Sequence, residues 1–205
     1  MRRVILAVFG LCFAISNAGI QASAQDAPAA QQPAPTDKTS PSYDMKAQAA
    51  YDLQDLQKKF VSLAEAIPPE KYAWRPSAGA RSIGEVFLHI SAANYNIPTM
   101  MGAPTNPSTT AKDFEKSTTD KAKIIEQLNQ SFVFAISNVQ HMSNADFAKP
   151  EKKLGPDAND GDVVYLLVTH AHEHLGQSIA YARMNGVVPP WTIQAQKKNA
   201  GQAQE

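Results

Sequence analysis

The chain has 205 residues with 19 basic and 19 acidic side chains, so its formal charge is zero at neutral pH. This length suits one domain with additional segments. The balance of charge gives no support for nucleic acid or an anionic membrane as a partner. The single cysteine, Cys12, lies in an apolar run near the start. Without that run the chain can form no disulfide and offers no thiol nucleophile or thiolate metal ligand.

The first 24 residues have the pattern of an export signal. Arg2 and Arg3 precede an apolar run over residues 4–15, and residues 22–24 read Ala-Ser-Ala, which is typical of a cleavage site. A membrane-spanning helix needs about 20 apolar residues, and this run is shorter. We therefore predict a cleaved signal peptide over residues 1–24, a periplasmic or secreted location, and no stable membrane anchor after cleavage.

Two further segments are predicted to lack stable structure. Residues 25–42 are rich in Ala, Pro and Gln and contain few large apolar side chains, so they are expected to form a flexible linker. Residues 192–205 have a similarly polar composition and are expected to form a disordered tail. The folded part is then predicted over residues 43–191.

Four segments of this folded part have the apolar periodicity of helices, and none alternates as a strand does. The second segment begins with Ser-Ile-Gly-Glu at Ser82, which matches a capping box, and the fourth is followed by Gly186, which is placed to terminate it. The sequence therefore predicts an all-α fold, a four-helix bundle. The four predicted helices run from about residue 43 to 67, from 82 to 96, from 117 onward, and from 160 to 185.

Three histidines of the predicted helices are candidate metal ligands. His170 and His174 are four residues apart, so they lie on one face of the fourth helix, whereas His172 points elsewhere. His89 in the second helix has apolar neighbours and is expected to face inward as well. Three neutral imidazoles from two helices can bind one divalent ion and leave coordination positions open.

The spacing by itself leaves other interpretations open. The chain contains five histidines, so a chance pair at this spacing is not rare, and an inward His89 is often a hydrogen-bonded core residue. Residues 170–174 match the inverted metalloprotease order His-x-x-Glu-His, but no glutamate follows in the folded part to complete such a site. Glu173 is therefore predicted to face solvent. His141, late in the third helix, is a weak candidate for a fourth ligand.

Three motifs resemble the DinB-like (DinB/YfiT-like) superfamily, a family of proposed metalloenzymes. Trp-Arg-Pro at residues 74–76 precedes Ser-Ile-Gly-Glu-Val-Phe-Leu-His at residues 82–89. Residues 170–177 are similar to the family signature His-x-x-x-His-x-Gly-Gln, and residues 181–190 are similar to its closing segment. The resemblance covers about residues 43–191.

The resemblance implies a four-helix bundle with a metal site formed by His89, His170 and His174. The expected cofactor is one divalent metal ion, with zinc and nickel as the leading choices. Family members include thiol S-transferases and a thiol-dependent isomerase that use cytosolic thiols, whereas this chain has the pattern of an exported protein. The resemblance therefore fixes neither a substrate nor a reaction.

Two functions follow as hypotheses. The first is a metal-dependent transferase or hydrolase acting on an unknown small molecule, with Asn96, Gln177 and Tyr181 supporting the ligands or contacting the substrate. Polar packing at one end of the bundle is the alternative for each of these three residues. The second hypothesis is a non-catalytic metal- or ligand-binding helical module, and a homodimer stays open in either case. Three ligands favour the enzyme, because structural zinc usually has four protein ligands.

Overall fold

The computed structural model of the chain describes residues 44–111 and 113–202. The predicted signal peptide and linker lie outside the described residues. Helices and turns make up the described part, in which no β-strand forms apart from one isolated bridge between Pro150 and Asn159. None of the helices among these residues is both long enough and apolar enough to cross a membrane.

Within residues 44–111 and 113–202, four long helices form the predicted bundle, and a fifth follows them. Each of the first four packs against at least two of the others. Phe60, Phe87 and Phe132 lie fully buried at the centre, with the Phe60 ring centroid 5.5 Å from that of Phe132 and 6.4 Å from that of Phe87. The all-α, four-helix prediction is therefore confirmed. The helices are α1 (Met45–Ala66), α2 (Ile83–Asn96), α3 (Lys121–His141), α4 (Asp160–Met184) and α5 (Pro190–Gln202).

The helix boundaries follow from side-chain caps. The predicted capping box at α2 is present, because Ser82 accepts a hydrogen bond from the backbone N–H of Glu85 and the Glu85 carboxylate accepts one from the backbone N–H of Ser82. The predicted start of α3 near Ser117 is three to four residues early. The Asp120 side chain, rather than that of Ser117, accepts from a first-turn N–H, that of Lys123, and thereby caps the helix.

The predicted disorder of the C-terminal segment is wrong for residues 192–202, which belong to α5. Pro190 occupies the first helical position, where its fixed φ angle favours a helix, and the Gln, Ala and Lys residues that follow are good helix formers. Trp191 is partly buried against the core. No residue of α5 is fully buried, so the helix leaves no apolar stripe in the sequence. Residues 203–205 lie outside the described part.

Two packing features place the functional region. Helices α2 and α4 lie against each other, and the connection between α2 and α3 folds back on α2 through a short 3-10 turn, Phe114–Lys116. Phe114 is buried and anchors this turn to the core. Charged residues beside Phe114 are thereby held next to the second helix.

The start of α4 gives a test of this packing. A Cβ atom added at Gly161 would lie 2.8 Å from the capping oxygen of Asn159 and 3.2 Å from the backbone oxygen of Phe147. We expect Gly161→Ala to lower the free energy of unfolding by about 1–2 kcal/mol, because the cap must shift. A Cβ atom added at Gly176 in the same helix meets nothing within 4 Å. Gly176→Ala should therefore raise the free energy of unfolding by about 0.5–1 kcal/mol. Urea denaturation of both variants measures this, and equal stability of Gly161→Ala and the unaltered protein would contradict the expectation.

Candidate metal centre

The structure brings His89 of α2 together with His170 and His174 of α4. Their ring centroids lie 5.2 Å (His89–His170), 4.7 Å (His89–His174) and 4.5 Å (His170–His174) apart. One nitrogen from each ring can be chosen so that all three lie within 4.8 Å of one another. Among the described residues this is the one cluster of histidine, cysteine or carboxylate groups with that geometry.

The nitrogen spacing fits a shared metal ion. The Nε2 atoms of His89 and His170 are 3.2 Å apart. Two nitrogens bound to one tetrahedral ion at about 2.0–2.1 Å would be roughly 3.3 Å apart. Imidazole is a preferred ligand of zinc, nickel and related ions. The donor set and its spacing therefore suit a divalent transition-metal ion.

Hydrogen bonds at the opposite ring nitrogens orient two of the three imidazoles. His89 Nδ1 lies 2.7 Å from Glu115 Oε1, and His174 Nδ1 lies 2.7 Å from Gln177 Oε1. Since both partners are acceptors, both Nδ1 atoms must carry the proton when the rings are neutral. The Nε2 lone pairs of His89 and His174 are then free for a metal ion, in the arrangement usual for metal-binding histidines.

Glu115 is itself held in place by hydrogen bonds, and no sequence pattern predicts its contact with His89. Arg81 donates from Nε to Glu115 Oε2 at 2.6 Å and from Nη2 to Oε1 at 3.1 Å. Glu115 comes from the irregular α2–α3 connection and so belongs to no periodic pattern. The one local signal is Phe114, an isolated aromatic residue in a charged segment. It predicts anchoring of the segment but not contact with His89.

The surroundings favour neutral imidazoles. Burial lowers the pKa of His170 to about 4, and the proximity of His174 and His89 adds to this effect. Burial also lowers the pKa of His89, and the hydrogen bond to Glu115 only partly opposes it. Burial raises the pKa of Glu115, but the bonds from Arg81 and His89 outweigh it and the net pKa is lowered. An ionised Glu115 and uncharged rings are the forms that metal binding requires.

The remaining predicted contacts lie around the cluster in different ways. Gln177 accepts from His174 and donates from Nε2 to the Tyr181 hydroxyl at 3.1 Å. Asn96 contacts no histidine by a hydrogen bond. Its Oδ1 accepts from Thr109 at 3.1 Å, and it lines a cavity that also includes His89.

The other histidines and Glu173 lie outside the cluster. His172 and Glu173 are exposed, as predicted, so the glutamate of the inverted metalloprotease order takes no part in the site. His141 is exposed at the end of α3, where its Nδ1 lies 2.7 Å from the backbone oxygen of Ser137. It therefore supplies no fourth ligand.

Two cavities adjoin the cluster and share Glu115 and Lys116. The histidine cavity, of about 490 Å³, is open to solvent and includes His89 and Asn96 in its lining. The arginine cavity, of about 530 Å³, lies beside it. A small organic molecule fits in either volume. The arginine cavity is lined by residues that include Arg75, Arg81, Glu85, Gln177 and Tyr181.

The lowered pKa of His170 predicts how the metal-free protein responds to pH. An unfolded histidine has a pKa of about 6.5, whereas the pKa of folded His170 is about 4. Between these values the unfolded state binds a proton that the native state does not, so the free energy of unfolding falls as the pH is lowered. We expect a slope of less than about 1.4 kcal/mol per pH unit, because the ring is half-buried.

Urea denaturation of chelator-treated protein between pH 6.5 and 5 measures this slope, above the range in which most carboxylates titrate. The His170→Gln variant should show a smaller slope. An identical slope in the two proteins would contradict the assignment.

Comparison with known proteins identifies the family. The family model described as the DinB superfamily matches residues 52–178. A crystal structure of a DinB-like protein from Bacillus cereus has a similar fold, with a TM-score of 0.59 and 18% sequence identity over 71% of this chain and 93% of that one. The comparison with curated proteins gave no match. The matched residues contain α2, most of α4 and all three clustered histidines. Because the match covers more than half of the chain, the chain belongs to the DinB superfamily.

Proposed function

We propose that the protein binds one divalent metal ion through Nε2 of His89, His170 and His174 and uses it as a metal-dependent transferase or hydrolase. The observation that carries this proposal is the cluster itself. Three imidazoles from two helices converge with a nitrogen spacing that suits a shared ion. Membership of the DinB superfamily agrees with metal binding, and zinc and nickel match the donor set.

Side chains of the protein would orient the proposed ligands and leave room for a substrate at such a site. A bound divalent ion supplies Lewis acidity, by which it lowers the pKa of a water or thiol and polarises a carbonyl oxygen. Glu115 and Gln177 hold His89 and His174 in the tautomers that direct Nε2 towards the ion. The open histidine cavity includes His89 in its lining and so gives a substrate access to this ring. With three protein ligands, a coordination position is left for the reacting group.

Metal content of purified variants tests the proposal. His89→Ala, His170→Ala and His174→Ala should each retain less than about one tenth of the zinc or nickel bound by the unaltered protein, because each removes one of three ligands. Glu115→Ala should weaken affinity about 10–100-fold, because His89 loses the acceptor that fixes its ring. His172→Ala is the matched control, since this neighbour is exposed, and it should bind normally. Equal loss in His172→Ala would contradict the ligand assignment.

Activity requires its own measurement. We expect metal-loaded protein to act on some member of a panel of thiol-transfer, ester and amide substrates. Chelator should abolish this activity, and one equivalent of the divalent ion should restore it. If the loaded protein has a saturated coordination shell with no exchangeable water, the catalytic proposal fails and the protein is a non-catalytic binding module.

We also propose that the protein is exported, on the basis of its sequence alone. The paired arginines, the short apolar run and Ala-Ser-Ala at residues 22–24 support a cleaved signal. N-terminal sequencing of protein recovered from its own cells should begin at Gln25. An intact Met1 on soluble cytoplasmic protein would contradict this expectation.

A further inference from the structure

The arginine cavity beside the histidine cluster has more hydrogen-bond donors than acceptors. Three cationic side chains, those of Arg75, Arg81 and Lys116, line it together with two carboxylates, those of Glu85 and Glu115. The lining therefore has a formal excess of one positive charge. A divalent ion held by the histidines would add to the positive potential there.

Both carboxylates are already engaged. Glu85 accepts from Arg75 Nη2 at 3.0 Å and from the backbone N–H of Ser82 at 2.7 Å, through different oxygens. Both oxygens of Glu115 accept from Arg81, and one of them also accepts from His89. Neither carboxylate therefore has an oxygen without a donor.

Several donors, in contrast, have no partner among the described residues. Arg81 uses Nε and Nη2 for Glu115, and its Nη1 donates to no acceptor in that part of the chain. Lys116 Nζ makes no hydrogen bond or ion pair there, and is exposed. The Tyr181 hydroxyl accepts from Gln177, while its own proton has no acceptor within the described ranges. A guanidinium, an ammonium and a phenol are thus available at one cavity.

We propose that the arginine cavity binds a carboxylate group of the substrate, through Arg81, Lys116 and Tyr181. Cationic and hydroxyl donors form short, charge-assisted hydrogen bonds with a carboxylate. The single excess positive charge of the cavity's own side chains matches a monoanion rather than a phosphate dianion. This inference rests on the proposed function, because it assigns the substrate class of that same site.

The anchoring point is close enough to direct the rest of the substrate to the histidines. Arg81 bonds Glu115, and Glu115 bonds His89, so one residue separates the guanidinium from the nearest predicted ligand. The arginine and histidine cavities also share Glu115 and Lys116 in their linings. A carboxylic acid anchored at Arg81 could therefore extend its reacting group over the cluster. Anchoring of this kind accelerates a reaction by fixing the substrate's orientation.

Benzoate serves as the probe, with benzamide as its uncharged counterpart. Isothermal titration calorimetry at low ionic strength would measure the binding of both to zinc-loaded protein and to chelator-treated protein. We expect benzoate to bind at least about tenfold more tightly than benzamide. Benzoate should also bind the metal-free protein, because the proposed donors belong to the cavity. Loss of all benzoate binding on metal removal would show coordination to the ion and overturn the proposal.

Lys116→Gln removes the positive charge of one proposed donor without touching the histidine network. It should weaken benzoate binding about tenfold and leave zinc content unchanged. Lys152→Gln is the matched control, because Lys152 is exposed and lies outside both cavities. Tyr181→Phe should weaken binding about tenfold, as expected for the loss of one hydrogen bond to a charged group. Circular dichroism checks that each variant is folded.

Equal benzoate affinities of Lys116→Gln and Lys152→Gln would overturn the proposal, as would tighter binding of inorganic phosphate than of benzoate. A protein that binds benzoate as expected but takes up no zinc would contradict the proposed function and leave the carboxylate site standing. A protein that takes up zinc but discriminates against neither benzamide nor phosphate would contradict the carboxylate site alone. The two failures are therefore distinguishable.

Discussion

The packing of α2 against α4 is the constraint on which the rest of the site depends. Leu88 and Ile90 are fully buried on either side of His89, and Leu167 and Ala171 are buried on α4. Burial of a large apolar side chain contributes about 1.5–3 kcal/mol. Such contributions outweigh the cost of half-burying neutral imidazoles, two of which keep an acceptor at Nδ1. The core thus holds the histidines close together, where their protonated forms would repel one another.

A second level of organisation depends on the connection between α2 and α3. Phe114 anchors this connection in the core, and Glu115 beside it reaches back to His89. Arg81, one residue before the cap of α2, fixes the other side of the Glu115 carboxylate. The position of the His89 ring is therefore determined by both a helix and an irregular segment. On α4, by contrast, Gln177 lies one turn after His174 in the same helix, so that contact is local.

The contrast between helices and connections limits what membership of a family shows about the substrate. The three clustered histidines and the greater part of the first four helices lie within the residues that match the DinB superfamily. Much of the lining of the two cavities comes from residues 75–81 and 109–116, which lie in connections. Connections tolerate change more readily than the helices that they join. Proteins can therefore share the fold and the arrangement of the histidines although their cavities select different substrates.

Structural elements with local causes can be predicted from the sequence. Apolar periodicity predicted four helices, the Ser82–Glu85 capping box fixed the start of α2, and the four-residue spacing placed His170 and His174 on one face. The cap residues from Ser117 to Asp120 compete, so the sequence predicts a start of α3 that is three to four residues early. It does not predict α5, because this helix has no buried residue and therefore no apolar stripe. The approach of His89 to α4 was an expectation strengthened by family resemblance, since spacing alone does not report which helices touch.

The residues that surround the three imidazoles are brought there by tertiary contacts. Glu115 is 26 residues from His89 in sequence, and His89 is 81 residues from His170. Contacts over such separations depend on how the chain folds back on itself. Neither the amino-acid composition nor the apolar periodicity of a segment predicts them. The depressed pKa values, the engaged carboxylates and the arginine-cavity donors that lack a partner among the described residues all arise from that packing. They follow from burial and proximity, which exist only once the bundle has packed.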